Sequence, residues 1–487
     1  MAADWTLRHL ALILLSITSQ QVLAARQQDR HTISVQSLLS SSMCSSPSST
    51  APAGSTLQIV HRACLQTGDD IAVPDHHHYT GILRRDRHRV RSIYRRLTAA
   101  ETTTTTTTIP ARLGLAFQSL EYVVTIGIGT PPRNFTVLFD TGSDLTWVQC
   151  LPCPDSSCYP QQEPLFDPSK SSTYVDVPCS APECHIGGVQ QTRCGATSCE
   201  YSVKYGDESE THGSLAEETF TLSPPSPLAP AATGVVFGCS HEYISVFNDT
   251  GMGVAGLLGL GRGDSSILSQ TRRSINSGGG VFSYCLPPRG SSTGYLTIGG
   301  GAAAPQQQYS NLSFTPLITT ISQLRSAYVV NLAGVSVNGA AVDIPASAFS
   351  LGAVIDSGTV VTHMPAAAYY PLRDEFRLHM GSYKMLPEGS MKLLDTCYDV
   401  TGQDVVTAPR VALEFGGGAR IDVDASGILL VLPAEDGSGQ SLTLACLAFL
   451  PTNSAGLVIV GNMQQRAYNV VFDVDGGRIG FGPNGCS

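Results

Sequence analysis

The sequence predicts an all-β fold of two lobes with a few short helices. The chain has 487 residues, 42% of them hydrophobic and 14% charged, which is enough for one large core or two ordinary ones. Its 48 glycines and 29 prolines, together with scarce helical periodicity, favour many short strands joined by turns. One motif occurs twice, around Asp140 and around Asp356, which predicts two similar lobes with a cleft between them. We expect the N-terminal lobe at 111–315 and the C-terminal lobe at 316–487.

Residues 1–24 have the features of an export signal. Arg8 precedes an apolar run at 10–17, and small residues suited to cleavage follow this run. The run is far shorter than the roughly 20 residues that span a bilayer, and no later segment is long and apolar enough to do so. We therefore expect a secreted chain without a membrane anchor.

Cysteine usage agrees with export. Twelve of the 14 cysteines lie between positions 150 and 486, an even number suited to six disulfides in an oxidising compartment. Seven of them lie within 150–199, so at least one of the seven must pair outside that stretch. A Cys-x-x-Cys spacing at 150–153 could suggest zinc, but no second pair at ligand spacing follows, and we expect no metal. The candidate disulfide cysteines are Cys150, Cys153, Cys158, Cys179, Cys184, Cys194, Cys199, Cys239, Cys285, Cys397, Cys446 and Cys486. Three Asn-x-Ser/Thr sites, at Asn134, Asn248 and Asn311, are glycosylation candidates on the same route.

Charge separates the start of the chain from the remainder. The first 109 residues hold 11 of the 29 basic residues and 7 of the 39 acidic ones, so the remainder is strongly acidic. Within this part, 83–97 forms an amphipathic helical pattern, with Leu83, Val90 and Ile93 on one face and arginines around it. Such a helix could bind nucleic acid, lie on an anionic membrane or cover an acidic cleft.

The position of this helix favours the third alternative. It lies between the export signal and a threonine run at 102–108, which is typical of an exposed, cleavable linker. We therefore expect 25–110 to comprise an inhibitory prosegment and its linker. Acidification should loosen the prosegment by neutralising carboxylates on the catalytic part.

The catalytic chemistry is predicted from the repeated motif. Residues 137–143 and 353–359 each give an apolar strand, an Asp, a small hydroxyl residue, Gly and a second hydroxyl residue. Two carboxylates held close together share one proton, so in acid one is a base and the other an acid. The base activates a water, which attacks a peptide carbonyl, and the acid protonates the leaving amine. The pattern predicts Asp140 and Asp356 as a catalytic pair that needs no metal or cofactor.

The neighbours of the two aspartates have three expected roles. The backbone can turn closely beneath the carboxylates at Gly142 and Gly358. Hydrogen bonds to the carboxylates are expected from the hydroxyls of Ser143 and Thr359. The hydroxyls of Thr141 and Ser357 are expected to brace one loop against the other.

These motifs resemble those of the pepsin-like aspartic proteases, specifically the plant nepenthesin-type branch. The resemblance covers about 121–487 and includes the cysteine-rich stretch 150–199, which is similar to the insertion of the nepenthesin type. The segments 459–462 and 481–486 resemble plant members described as chloroplast nucleoid DNA-binding proteases. The resemblance implies an acid endopeptidase. The export signal favours the secretory route, so we expect the apoplast as the destination, with the vacuole and the plastid as alternatives.

The resemblance also implies a hairpin flap that closes over the substrate. Tyr205, Gly206 and Asp207 are similar to the flap of the family, and Trp147 is similar to the indole that holds its tyrosine. Glu208 stands where the family usually has a glycine, which leaves the turn geometry of the hairpin and its pH response open.

Two other functions remain open from sequence. One is a catalytically inert binder or inhibitor on the same fold, although such proteins usually have a damaged aspartate pair and both aspartates are present here. The other is a protease with a DNA-binding role, which is disfavoured because the arginines lie in the segment expected to be removed. We expect a monomer whose partners are protein substrates and its own prosegment, with no nucleic acid bound by the mature chain.

Overall fold

The computed structural model describes residues 30–38, 56–61, 76–98 and 121–486. Within the last range it omits 155–156, 188, 190, 196–197, 207, 223–230, 246–252, 273–279, 289–293, 300–310, 392, 436–439 and 455. The export signal, the threonine run, Cys44, Cys64, Asp207 and Asn248 lie outside the described residues. Among the described residues, no helix has the length and apolar character needed to cross a membrane.

The described chain is mostly β, as predicted. Its helices are α1 (Val35–Leu38), α2 (His76–Thr98), α3 (Ile267–Thr271), α4 (Ala366–His379) and α5 (Ala425–Ile428). The strands of its first part are β1 (Arg30–Ser34), β2 (Thr56–His61), β3 (Tyr122–Ile128), β4 (Arg133–Asp140), β5 (Trp147–Gln149), β6 (Val175–Asp176), β7 (Gln191–Cys194), β8 (Cys199–Lys204), β9 (Glu210–Thr221), β10 (Ala231–Ile244), β11 (Gly256–Gly259), β12 (Val281–Cys285), β13 (Gly294–Ile298) and β14 (Ser313–Pro316).

The strands of its second part are β15 (Val329–Val330), β16 (Leu332–Val337), β17 (Ala340–Ala341), β18 (Gly352–Ile355), β19 (Thr362–Pro365), β20 (Lys384–Met385), β21 (Cys397–Asp399), β22 (Val405–Pro409), β23 (Val411–Phe415), β24 (Arg420–Asp422), β25 (Leu429–Glu435), β26 (Ser441–Leu447), β27 (Phe449–Thr452), β28 (Leu457–Val460), β29 (Asn469–Asp473) and β30 (Arg478–Gly482).

One large sheet combines strands from the first lobe with β2 and with β29 and β30. It has 15 strands, in the order β14-β30-β29-β12-β13-β2-β3-β4-β11-β5-β10-β9-β8-β7, with β6 paired to β9. The second lobe contains a five-stranded sheet, β15-β18-β28-β19-β27, and two four-stranded sheets, β17-β16-β23-β24 and β20-β21-β26-β25. Strand β1 pairs with β22. The segment before residue 99 therefore contributes strands to both lobes.

The two copies of the sequence motif adopt the same local architecture. Strand β4 ends at Asp140 and pairs in parallel with β11, where Phe139 lies opposite Leu258. Strand β18 ends just before Asp356 and pairs in parallel with β28, where Val354 lies opposite Ile459. All of these strands except the start of β4 are buried, which is why their sequences are continuous apolar runs without alternation.

Six disulfides link the described cysteines, as the even count predicted. Three pairs close within the cysteine-rich stretch, and Cys150 pairs with Cys239 beyond it, as the odd count of seven requires. The pairs are Cys150–Cys239, Cys153–Cys158, Cys179–Cys194, Cys184–Cys199, Cys285–Cys486 and Cys397–Cys446.

Helix α2 packs its apolar face onto the second lobe. Ile82 and Leu83 join a cluster with Val360, Leu430 and Leu444, while further along the helix its apolar residues reach another part of the same lobe. The residues of that second contact are Val90 and Ile93 on the helix and Leu324, Val329, Val354, Leu457 and Ile459 on the lobe. The amphipathic face predicted from the sequence is therefore a packing face.

Candidate active site

The structure brings the two aspartates together at the boundary of the lobes. Asp140 and Asp356 are both completely buried. The backbone N–H of Gly142 donates to Asp140 Oδ1 at 2.9 Å, and the N–H of Gly358 donates to Asp356 Oδ1 at 3.0 Å. Each carboxylate is therefore oriented by the tight turn that follows it.

The two hydroxyls expected to donate to the carboxylates differ in what they do. Thr359 Oγ1 donates to Asp356 Oδ2 at 2.6 Å. Ser143, at the equivalent place beside Asp140, is buried, and its hydroxyl helps to lower the pKa of Asp140 without reaching standard hydrogen-bond geometry. Asp356 thus has a hydroxyl donor at standard hydrogen-bond geometry, whereas the hydroxyl beside Asp140 interacts more weakly.

Thr141 and Ser357 connect the two aspartate loops reciprocally. The N–H of Thr141 donates to Ser357 Oγ at 3.0 Å, and the N–H of Ser357 donates to Thr141 Oγ1 at 2.9 Å. The hydroxyls then donate to the carbonyls of Ile355 and Phe139, at 3.1 and 3.3 Å. These buried hydrogen bonds fix the separation of the two loops.

Glycine is required at both turns because the opposite carboxylate approaches them closely. A Cβ added at Gly358 would lie 2.3 Å from Asp140 Oδ1, and one added at Gly142 would lie 2.9 Å from Asp356 Oδ1. A Cβ at Gly142 would also lie 2.3 Å from Nη2 of Arg89, so no larger residue fits at either turn.

An arginine of helix α2 lies between the two aspartates. Nη2 of Arg89 is 2.8 Å from Asp140 Oδ1 and 2.8 Å from Asp356 Oδ1, and Nε donates to Asp356 Oδ2 at 2.8 Å. Arg89 is completely buried. The helix thus places one cation between both carboxylates.

Burial and charge shift the pKa values of the two carboxyl groups in opposite directions. Burial raises the pKa of Asp140 above its ordinary value of 3.8, against the opposing charge of Arg89. Burial acts on Asp356 in the same direction, but the charge of Arg89 and hydrogen bonds from Arg89, Thr359 and Gly358 outweigh it and lower the pKa. Burial alone would lower the pKa of Arg89, and the two carboxylates raise it instead.

Sequence reasoning found the helix but not the role of Arg89. Seven arginines lie between positions 84 and 96, and the sequence does not distinguish among them. One signal was available, because Ile82, Asp86, Arg89 and Ile93 follow helical spacing and form a single buried stripe.

Comparison with known proteins places this chain in a family. Family models described as the N-terminal and C-terminal domains of xylanase inhibitors match residues 122–300 and 327–483. Aspartyl protease AED1 of Arabidopsis thaliana is 43% identical over 467 residues, covering 94% of this chain and 92% of the relative. Aspartic proteinase nepenthesin-2 of Nepenthes gracilis is 32% identical, covering 75% of this chain and 78% of the relative.

The chain belongs to the pepsin-like aspartic protease family. It is an aspartic endopeptidase, and its substrates are proteins. Solved structures share the two-lobed fold of the family at low identity. Basic 7S globulin from soybean is 20% identical with a TM-score of 0.56, covering 74% of this chain and 91% of that chain. Conglutin gamma from lupine seeds is 21% identical with a TM-score of 0.56, covering 76% of this chain and 93% of that chain.

The hairpin predicted to form the flap of this aspartic protease is the turn between β8 and β9. Tyr205 and Trp147 are buried in one apolar cluster, where the Trp147 ring stacks on Tyr243 at 6.0 Å between centroids. The N–H of Tyr205 donates to the carbonyl of Ser209 at 2.7 Å, which closes the turn. Gly206 lies in the turn, and Asp207 lies outside the described residues.

The departure at Glu208 has a structural consequence. Glu208 adopts a φ of 73°, in the left-handed region that favours glycine. Its carboxylate also approaches helix α2, with Oε1 3.9 Å from Nδ1 of His88. The turn is therefore formed at the cost of backbone strain and lies against the N-terminal segment.

Proposed function

We propose that Asp140 and Asp356 are the catalytic pair of an acid endopeptidase, which hydrolyses peptide bonds with a water held between them. The observation that carries this proposal is the position of Arg89 Nη2, 2.8 Å from one oxygen of each carboxylate. A polar atom at that point can hydrogen-bond to both carboxylates. When the arginine leaves, a water fits the same position.

The unequal environments suggest which aspartate takes which role. Asp356 receives hydrogen bonds from Thr359 and from the Gly358 N–H, whereas Asp140 receives the Gly142 N–H. Donors to a carboxylate favour its ionised form. Asp356 is thus the base that takes a proton from the water, and Asp140 is the acid that supports the developing oxyanion and later protonates the amine.

The N-terminal segment acts as an inhibitory prosegment in this proposal. Arg89 fills the position of the catalytic water, and helix α2 covers the cleft around it. Lowering the pH protonates carboxylates that hold the helix, which favours its release and cleavage of the linker.

The remaining organisation follows the sequence. We propose a signal peptide at 1–24, a prosegment and linker at 25–110, and lobes at 111–315 and 316–487, in a monomer that enters the secretory pathway. Asn134 and Asn311 are both exposed and are sites for glycosylation. Export to the apoplast is the proposed destination, and the mature chain is not expected to bind DNA because it is strongly acidic.

The test is proteolysis of a denatured protein substrate from pH 2 to 8, with and without a pepstatin-type inhibitor. The precursor is compared with Asp140→Asn and Asp356→Asn variants. Acid-dependent, inhibitor-sensitive cleavage that both substitutions abolish is the expected result. Activity that survives either substitution would refute the assignment, and a processed chain without activity would favour the inert binder.

A further inference from the structure

A second contact between helix α2 and the cleft involves a carboxylate. Asp86 is buried, and its two oxygens accept hydrogen bonds from the backbone N–H of Val360 at 3.0 and 2.9 Å. Its Oδ2 also accepts from the N–H of Val361 at 2.9 Å. Two consecutive N–H groups, directly after the second aspartate loop, therefore hold one carboxylate.

A histidine completes the surroundings of this carboxylate. His363 is 1% exposed, and its Nε2 lies 3.9 Å from Asp86 Oδ2. Neither ring nitrogen of His363 has a hydrogen-bond partner among the described residues. His363 also lies in the wall of a cavity of about 490 Å³ between helix α2 and the second lobe. A buried imidazole with a ring N–H that can donate a hydrogen bond is suited to a carboxylate.

The donors belong to the enzyme, whereas the carboxylate belongs to the segment proposed to leave. When helix α2 is released, the N–H groups of Val360 and Val361 lose their acceptor beside the catalytic pair. Unsatisfied donors in a cleft favour any ligand that restores their hydrogen bonds. We infer that Val360, Val361 and His363 form a substrate subsite that selects an acidic side chain, Asp or Glu. This inference rests on the proposed function, since it describes a subsite of the same cleft.

The contact with Asp86 favours a carboxylate over an ordinary peptide carbonyl. Both oxygens of Asp86 are used, and three hydrogen bonds from two N–H groups converge on them. One carbonyl oxygen has no second oxygen to offer, and a hydrogen bond to an ionised carboxylate is stronger than one to a neutral carbonyl.

Helix geometry limits where the acidic residue lies relative to the scissile bond. Asp86 precedes Arg89 by three residues, which corresponds to about 4.5 Å along a helix axis. An extended substrate advances about 3.3 Å per residue. The selected residue should therefore lie within about three residues of the bond that is cleaved.

The first test uses matched peptides on the matured enzyme. A fluorogenic peptide carries Asp at each position in turn, from four residues before the scissile bond to four after it, and every peptide has an Asn twin. Assays at about pH 5 keep the substrate carboxylate ionised. We expect kcat/KM for Asp to exceed that for Asn by about tenfold or more at one position close to the bond.

A variant assigns this preference to the subsite. His363→Gln should lower the Asp-to-Asn ratio several-fold at that position, while the matched control His379→Gln on helix α4 leaves the ratio unchanged. Equal cleavage of all Asp and Asn twins by the wild-type enzyme would overturn the subsite while leaving the protease intact. Failure to cleave either peptide of any pair would instead count against the proposed function.

A binding measurement avoids any change to the folded protein. A synthetic peptide of residues 76–98 is titrated by calorimetry into the matured chain and compared with the same peptide carrying Asp86→Asn. We expect the Asn peptide to bind about tenfold more weakly. Equal affinity of the two peptides would show that the N–H pair and His363 do not select a carboxylate, and it would overturn the inference.

Discussion

Arg89 and Asp356 are 267 residues apart in sequence, yet they form two hydrogen bonds of 2.8 Å with both side chains fully buried. The same guanidinium contacts Asp140. A buried cation between two carboxylates is held strongly only while all three partners are present, since removing one leaves an uncompensated charge. Removing Arg89 should therefore weaken the contact between helix α2 and the cleft.

Arg89→Ala should release the prosegment from the cleft. Loss of one partner of a buried ion pair typically costs about 3–5 kcal/mol. We expect the variant precursor to cleave substrate without a prior acid-activation step and to process itself faster than the wild-type precursor. Both are measured at about pH 5, as substrate cleavage and as a shift of the protein band on a gel. Arg84→Ala, an exposed arginine of the same helix, is the control. An Arg89→Ala precursor as latent as the wild type would contradict the inhibitory role.

Glu208→Gly should stabilise the flap turn. A non-glycine residue in the left-handed region costs about 1–2 kcal/mol, from which the greater chain entropy of glycine subtracts about 0.5–1 kcal/mol. We expect thermal melting to show a gain of about 0.5–1 kcal/mol in the free energy of unfolding. Glu208→Ala, which removes the carboxylate but keeps the strained φ, should show no gain. A similar gain in both variants would mean that charge, and not backbone strain, is responsible.

Thr359→Val should move the pH profile of proteolysis. The Thr359 hydroxyl helps to lower the pKa of Asp356, so its removal raises that pKa. Because the proposed mechanism uses Asp356 as the ionised base, the rising acid limb of kcat/KM should shift to higher pH by about one unit, the size expected for one charged hydrogen bond. Thr401→Val, in an exposed turn, serves as the control. An unmoved limb would argue that Asp140 is the base.

Asp395 should make the fold sensitive to acid. Burial acts to raise its pKa, but hydrogen bonds from Tyr369, Thr396 and Arg373 outweigh it, so the pKa lies below 3.8. A lowered pKa in the folded state contributes stability above the ordinary value, and this contribution is lost as the pH falls through the lowered one. Asp395→Asn should cost about 1–2 kcal/mol at neutral pH and flatten the loss of stability below about pH 4.

This prediction is checked by thermal melting from pH 2 to 6 in an Asp140→Asn background, which prevents self-digestion. Asp422→Asn, at a side chain that is 67% exposed, is the matched control. The assignment would be refuted if the melting temperatures of the Asp395→Asn variant and its parent changed with pH in the same way across this range.

The repeated motif allowed the sequence to predict much of the site. Asp140 and Asp356 occupy equivalent places in two similar segments, and local patterns of this kind determine local structure. The reciprocal bracing of Thr141 and Ser357 also follows from that equivalence. Cysteine counting predicted that a bond such as Cys150–Cys239 must leave the cysteine-rich stretch.

Features set by distant partners could not be predicted. Arg89 is buried because two carboxylates from other parts of the chain meet it, and the helical spacing of its neighbours indicates only which face of the helix it shares. Strand β2 lies between β13 and β3, and its pairing depends on residues far along the chain. Likewise, a left-handed Glu208 follows from the closure of its hairpin and not from its residue type.

The position of the last two strands has a consequence for synthesis. Strand β29 pairs with β12, with Val470 opposite Tyr284, and Cys486 is bonded to Cys285 across 201 residues. A nascent chain therefore cannot close the large sheet until residues 469–486 have left the ribosome. The first lobe is therefore not an independent folding unit, because β29 and β30 belong to its sheet. Both aspartates are translated long before these two strands. Expressing the lobes as separate proteins would divide this sheet, and each half would carry an open strand edge prone to aggregation.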